Sequence, residues 1–325
     1  MSRTDREGPV NWILQIIEVV VILIVLLNLP IGLIWLERRM LGGFQDRYGP
    51  NRVGPQGLLQ PIADALKLFM KEDWVPPFAD RYVFIVAPAI VVVTVLLAFG
   101  VIPFTANIHV TDPNIGLLFF LGMASLGVYS IVLAGWASNS KYSLVGGLRA
   151  AAQMISYELP MGLSVLGVVI LAGSFQLGAI VEAQRSLWFC ITQPLGLIIF
   201  LIATIAESRR IPFDLPEADS ELVNGYHTEY SSMKFGLFYL GEYLDVVLVG
   251  CMVTVLFLGG WRGPWLPPLL WFALKVGVII IVFIWVRSVL PRFRFDQLMN
   301  FGWKVLLPLS LLNIVVTGLF AMMGR

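Results

Sequence analysis

Apolar runs of about twenty residues alternate with polar connections along nearly the whole chain. A helix rises ~1.5 Å per residue, so about twenty apolar residues cross a hydrocarbon layer ~30 Å thick. The pattern predicts eight spans, at about 12–35, 83–102, 115–136, 148–172, 187–206, 235–258, 269–289 and 303–322. None of the runs shows the period-two alternation of a membrane barrel strand. The predicted fold is therefore all-α, a polytopic transmembrane helix bundle forming one domain over 1–325, with no internal repeat. The first run follows Arg3 and Arg6, as in a signal peptide, but it is too long for one and lacks a small-residue cleavage site. It reads as a retained span, kinked at Asn28-Leu-Pro30-Ile-Gly32 and stopped by Glu37-Arg38-Arg39.

Three connections are elaborate. Residues 37–80 hold the turn signals Gly42-Gly43, Gly49-Pro50 and Gly54-Pro55, and are studded with Arg38, Arg39, Arg47 and Arg52. Within them, Pro61 to Lys71 predicts an amphipathic helix lying in the membrane interface: Ile62, Ala65, Leu66, Phe69 and Met70 share a face that Asp64, Lys67 and Lys71 leave. Residues 138–158 pass a Gly146-Gly147 turn into a helix whose first half carries Arg149, Gln153, Tyr157 and Glu158 and is too polar to meet lipid. Residues 207–234 are the most polar part of an oily chain. With the start of the sixth span they gather Glu207, Asp214, Glu217, Asp219, Glu221, Glu229, Glu242 and Asp245. Glu242 and Asp245 lie three apart, on nearly one helix face.

Composition agrees with the spans. The 325 residues are 58% hydrophobic and only 13% charged, with mean hydropathy +0.83, whereas a soluble domain is nearer half apolar and a quarter charged. Cys190 and Cys251 sit far apart in apolar segments and read as buried small hydrophobes. With His109 and His227 the only histidines, no set has metal-ligand spacing, and no glycine-rich phosphate loop follows a strand. No metal and no cofactor is expected to be bound by this chain; a redox centre would belong to other subunits.

The distribution of charge says more than its sum of +1. The connections after spans one, three, five and seven hold most of the basic residues, from Arg38 and Arg39 through Arg209, Arg210, Arg287, Arg292 and Arg294 to Lys304. The opposite face has Arg3, Arg6, Arg185, Arg262 and Arg325. The positive-inside rule puts the rich face in the cytoplasm and, with eight spans, both termini on the other side. All three elaborate connections then share the cytoplasmic face.

A lipid-facing charge at mid-bilayer costs roughly 2.5–3.5 kcal/mol on insertion scales. Carboxylates this numerous therefore line a wet cavity or a docking surface. Glu37, Asp64, Glu158, Glu207 and Glu242 recur at span boundaries. Each alone could be a solvated helix end paired with an arginine; together, on one side, they suggest a proton relay. Mutually repelling, partly buried carboxylates hold protons to higher pH and can exchange them near neutrality. Arg47 and Arg52 sit in a rigid Gly/Pro loop suited to docking a partner, or serve only as topology signals. Phe213, Tyr226, Tyr230 and Phe235 could flank a flat ligand or simply pack. His227 could donate to a carbonyl or have no role.

Several motifs resemble those of one family. They are Glu37-Arg38, Arg47-Tyr-Gly-Pro-Asn-Arg-Val-Gly-Pro, Leu59-Gln-Pro-Ile-Ala-Asp64-Ala-Leu-Lys, Gly135-Trp-Ala-Ser-Asn-Ser, Leu148-Arg-Ala-Ala-Ala-Gln-Met-Ile-Ser-Tyr-Glu158, Arg210-Ile-Pro-Phe-Asp-Leu, Ser220-Glu-Leu-Val-Asn-Gly, Glu229-Tyr230, Gly241-Glu-Tyr243 and Pro291-Arg-Phe-Arg-Phe-Asp-Gln-Leu. Nearly the whole chain is similar to the family of quinone-chamber membrane subunits of respiratory complex I, the NADH:quinone oxidoreductase. Asp219 stands where relatives carry Glu, which keeps the charge.

The resemblance implies a translocase component in the bacterial inner (plasma) membrane, at the heel between a hydrophilic arm and a proton-pumping membrane arm. It implies quinone as substrate, with FMN and iron–sulfur clusters in partner subunits. Expected partners are the quinone-proximal hydrophilic-arm subunits, small membrane subunits and the bilayer, with no nucleic acid. By the same resemblance Glu37, Arg38, Asp64, Arg210, Phe213 and Tyr226 fall at the chamber or its entrance. Glu158, Glu207, Asp214, Glu217, Asp219, Glu221, Glu229 and Glu242 would couple protons, and Arg47, Arg52, Arg292 and Arg294 would dock subunits. The alternatives are the equivalent subunit of a membrane-bound hydrogenase or ferredoxin-linked complex, an ion-coupled transporter, and a plain anchor. A transporter predicts internal repeats and unwound helices at mid-membrane. An anchor leaves Glu158 and Glu242 within spans unexplained.

Overall fold

The computed structural model describes residues 12–214 and 223–323, and every regular element among them is helical. The helices are α1 (Trp12–Phe44), α2 (Gln60–Met70), α3 (Arg81–Phe99), α4 (Gly116–Ala137), α5 (Lys141–Ala172), α6 (Leu177–Ala183), α7 (Phe189–Thr192), α8 (Pro194–Glu207), α9 (Ser232–Phe257), α10 (Pro268–Val289), α11 (Phe295–Phe301) and α12 (Leu307–Met323). A π-turn over Gly302–Leu306 joins the last two into one long rod. Seven of these units are long and apolar enough to cross a membrane, and α8 is a shorter apolar helix beside them. The expected helical bundle is observed, with one span built differently. The fifth is broken at Gln193, where the chain leaves helical geometry and Pro194 restarts it as α8.

Two boundaries also move. The charges at Glu37-Arg38-Arg39 do not stop α1, which continues to Phe44. Charged side chains end the apolar layer, not the helix, because each finds a partner. Arg38 reaches Asp64, while Arg39 donates to the Gln56 carbonyl at 3.1 Å. Likewise Gly146-Gly147 is not a turn: α5 begins at Lys141 and runs through it. These glycines allow close approach. A Cβ on Gly146 would lie 2.7 Å from the Gly225 Cα, and one on Gly147 would lie 3.1 Å from the Ile131 carbonyl. Elsewhere local signals hold. Asp80 caps α3 by accepting the Tyr82 and Val83 N–H groups at 3.2 and 3.3 Å. Gly173, at φ +71°, closes α5 in the left-handed conformation.

The packing has a clear centre. Helix α9 is the most buried span and packs on α3 and α10, while α5 packs on α4, α8 and α12. Helix α1 lies at the edge against α9 and α10 and turns Ile13, Ile16, Ile17, Val20 and Val21 outward. Such an exposed apolar face suits lipid. So the helix carrying Glu242 and Asp245 runs through the middle of the bundle. The chain around Glu207 connects to it from α8.

Candidate functional site

The turn leaving α8 sends consecutive arginines to different places. Arg209 holds φ +55°, in the left-handed region, and directs its side chain inward. Arg210 directs its own toward α1 and α10. Both are buried; Arg210 meets carboxylates of α1 and α9, and Arg209 lines a cavity with Glu207 and Asp245.

Arg210 forms the first set. Its Nη1 donates to Glu37 Oε2 at 2.9 Å, and its Nε lies 3.0 Å from Glu242 Oε1. The other Glu37 oxygen accepts from Arg287 of α10. The Arg210 guanidinium also lies over the Tyr243 ring, 4.4 Å from its centroid. Burial opposes the charge on Arg210, but Glu242 and Glu37 overcome it and hold the guanidinium protonated above its ordinary value. Asp214 accepts from Arg292 at 3.0 Å. Burial is the largest influence on Asp214, whose carboxyl is pushed up to about 6 against the pull of Arg292, with Glu242 adding to the rise. A cavity of about 10 Å³ beside Glu37, Arg210 and Arg287 has room for about one water.

The second set surrounds an inner cavity of about 40 Å³ between α3, α4, α5 and α9, lined by Glu207, Arg209, Asp245 and Thr94 among apolar side chains. Arg209 donates to the Tyr226 hydroxyl and lies over its ring. Burial, and then the Arg209 charge, keeps the neighbouring His227 imidazole neutral, well below its ordinary value.

A series of carboxylates links the two sets. Asp214 is in electrostatic reach of Glu242, and Glu242 of Asp245. Glu207 is in reach of both Asp245 and Glu158. Glu158, on α5, accepts from Ser125 of α4 at 3.2 Å. The line thus runs from the chain after α8, through α9 in the middle of the bundle, to Glu207 at the end of α8 and Glu158 on α5.

The other expected residues fall as follows. Arg38 and Asp64 pair with each other at 2.5 Å beside α2. Burial raises the Asp64 carboxyl, but the Arg38 hydrogen bond and charge outweigh it and leave it below the usual range. Phe213 and Tyr226 are buried in protein packing, Phe213 against Tyr157 and Phe293 and Tyr226 against His227 and Phe238; neither ring faces an opening. Glu229 is half-buried and joins neither set among the described residues. Arg47, Arg52 and Arg294 are exposed, with Arg47 bonded to Gln45 and Arg294 beside Asp296. Arg292 is exposed and bonded to Asp214. Glu217, Asp219 and Glu221 lie outside the described residues.

Four contributors escaped assignment from sequence. Asp245 was visible as a spacing of three from Glu242, yet only the fold shows that it bridges Glu242 to Glu207. Gln153 stood out only as one polar residue in a helix too polar for lipid, and Arg209 and Arg287 only as members of the basic-rich face. Among the described residues no group of three or more His, Cys, Asp or Glu side chains is placed to hold a metal ion.

An apolar groove of about 530 Å³ between α1, α9 and α10 shares Leu33 and Ile280 with the small cavity at Glu37. A helical bundle with an apolar groove that reaches buried charge defines a class: polytopic integral membrane proteins with ionisable groups inside the bundle. Comparison with known proteins narrows this class. A family model described as NADH dehydrogenase matches residues 17–318, and the chain belongs to that family. It is 61% identical over 287 residues to the H subunit of the NADH-quinone oxidoreductase of Methylococcus capsulatus, covering 88% of this chain and 91% of that one. The H subunit of the same enzyme from Syntrophotalea carbinolica is 56% identical over 321 residues, covering 96% and 97%. An H subunit from Geobacter metallireducens is 53% identical over 319 residues, covering 95% and 97%.

Proposed function

We propose that this chain is the membrane component that, with subunits of a hydrophilic arm, encloses the quinone chamber of an NADH:quinone oxidoreductase. It couples quinone reduction to proton translocation. The family relationship supports the enzyme. The carboxylate series from Asp214 through Glu242, Asp245 and Glu207 to Glu158 is the observation that carries the coupling role. Flavin and iron–sulfur clusters belong to partner subunits and supply electrons when bound there.

In this reading the prenyl tail lies in the groove between α1, α9 and α10. The headgroup side of the chamber begins near Glu37, Arg210 and Arg287. A quinone accepting two electrons takes up two protons. That demand disturbs a cluster in which Glu37 and Glu242 share Arg210, and Glu37 also holds Arg287. Any loosening of Arg210 from Glu242 leaves that buried carboxylate without its counterion, beside Asp245 three positions on and the cavity that Asp245 shares with Glu207. One pKa unit is about 1.4 kcal/mol, so a few coupled carboxylates carry a useful signal. Glu217, Asp219, Glu221 and Glu229 follow on the same connection in the sequence and are assigned to proton coupling with the series. Arg47, Arg52 and Arg294 face outward to dock hydrophilic-arm subunits. The elaborate connections face the cytoplasm of a bacterial inner membrane, and both termini face the periplasm, as the basic residues favour.

Arg210→Lys tests this reading. Lysine keeps the charge but lacks the planar fork that reaches Glu37 and Glu242 together. In assembled complex, quinone reduction should fall about tenfold or more, while NADH oxidation by an artificial acceptor at the hydrophilic arm stays unchanged. Native quinone kinetics in that variant would refute the chamber assignment.

A further inference from the structure

The turn between α8 and Phe213 places three charged side chains within four positions, Glu207, Arg209 and Arg210. Glu207 and Arg209 line the inner cavity, and Arg210 joins Glu37 and Glu242. Between them the backbone of Arg209 is held at φ +55°, in the left-handed region that non-glycine residues seldom adopt. The turn's own main-chain hydrogen bonds are sparse. Arg209 N–H reaches the Ala206 carbonyl at 3.4 Å, and Phe213 N–H reaches the Arg210 carbonyl at 2.8 Å.

One side chain holds both ends. Gln153, fully buried on α5, donates through Nε2 to the Ala206 carbonyl at 2.7 Å and to the Phe213 carbonyl at 2.8 Å. Ala206 is in the last turn of α8, where carbonyls lack helical partners. Phe213 lies in irregular chain. Among the described residues no other side chain donates to either carbonyl. The amide is anchored on a 32-residue helix that packs on α4, α8 and α12. It is thus a fixed donor against which a strained, charge-bearing turn is set.

The geometry points to Gln153 as a positioning residue for the quinone reaction: its amide clamps the 206–213 turn so that Arg210 meets the chamber while Glu207 and Arg209 meet the inner cavity. The inference rests on the chamber reading above. The chemistry demands two N–H donors on one atom at this reach. Leucine offers none, an ionised glutamate only accepts, and a protonated glutamate offers a single O–H.

The test uses the assembled native complex with Gln153→Leu and Gln153→Glu. Gln153→Leu should leave NADH oxidation by an artificial acceptor unchanged, raise the quinone KM several-fold and lower the protons pumped per electron. Gln153→Glu should be impaired at pH 8 and recover several-fold relative to the native complex at pH 6, as the protonated side chain regains one donor. A purely space-filling role would not produce that pH dependence. Native quinone kinetics and pumping in Gln153→Leu, or a flat ratio to native across pH in Gln153→Glu, would overturn the inference. So would failure of both variants to assemble, because the amide would then be a requirement of folding. The outcomes separate from those of Arg210→Lys. If Arg210→Lys impairs quinone reduction and the Gln153 variants do not, the clamp alone falls. If Arg210→Lys is silent, the chamber reading falls.

Discussion

Glu37 holds Arg210 and Arg287 with its two oxygens, and Glu242 balances the second positive charge, so the buried set is neutral. Removing one partner from a buried ion set costs about 3–5 kcal/mol because a charge is left without a counterion. Glu37→Gln should therefore lower the thermal inactivation midpoint of the assembled complex by several degrees. Adding Arg287→Met restores neutrality and should recover part of the loss. A double variant no better than Glu37→Gln would show that charge balance is not what holds the set. Asp214 carries a different signature. Its carboxyl titrates at about 6 in the fold against 3.8 as a free group, so the fold binds its proton more tightly than the unfolded chain does. Its ionisation therefore disfavours the fold as pH rises from about 4 through about 6, and the effect is complete above that. Asp214→Asn should raise the thermal midpoint more at pH 7.5 than at pH 5.5. A gain independent of pH would contradict the buried placement of this carboxyl. At this scale the sequence was informative about residue type and less so about pairing. Oily surroundings marked Glu37, Glu158, Glu207 and Glu242 as notable, but the partners of Arg210 lie 173 residues upstream, at Glu37, and on α9. No local pattern encodes such contacts.

Helices expose what hydrophobic periodicity can and cannot carry. Apolar length located the spans, because crossing a bilayer imposes about twenty residues wherever the chain turns. It placed the end of α1 too early and the start of α5 too late. In both places polar or glycine residues continue a helix outside the apolar layer, satisfied by tertiary contacts. The break at Gln193 lies inside an apolar run whose length alone reads as one span; its signal is Thr192-Gln193-Pro194, because the residue before a proline disfavours helix. The glycines of α5 show why small residues misled: Gly146 is a contact surface for the turn carrying Tyr226 and His227. Gly146→Ala would put a methyl group against the Gly225 backbone. Overpacking of this kind costs about 1–3 kcal/mol. The variant should lose thermal stability and weaken the Arg209–Tyr226 contact, read as a lower inactivation midpoint with reduced quinone turnover. An unchanged midpoint would show that the turn can retreat freely.

At the scale of the whole molecule, the sequence motifs identified the family almost completely, because the functional connections are long, polar and specific. An ion-coupled transporter predicts unwound helices at mid-membrane, and the fold does contain a break between α7 and α8, so the family relationship decides between the two readings. What only the assembled fold supplied is continuity. The groove between α1, α9 and α10 meets the Glu37 cavity at Leu33 and Ile280, and the carboxylates lead on from there through Asp245. Photolabelling the native complex with a quinone carrying an azide near the head end of its tail tests this directly. Adducts mapped by mass spectrometry should fall on this chain around Leu33–Glu37 and Ile280–Arg287, and excess quinone should suppress them. Adducts confined to other subunits, or on this chain only at positions that quinone does not protect, would contradict the account.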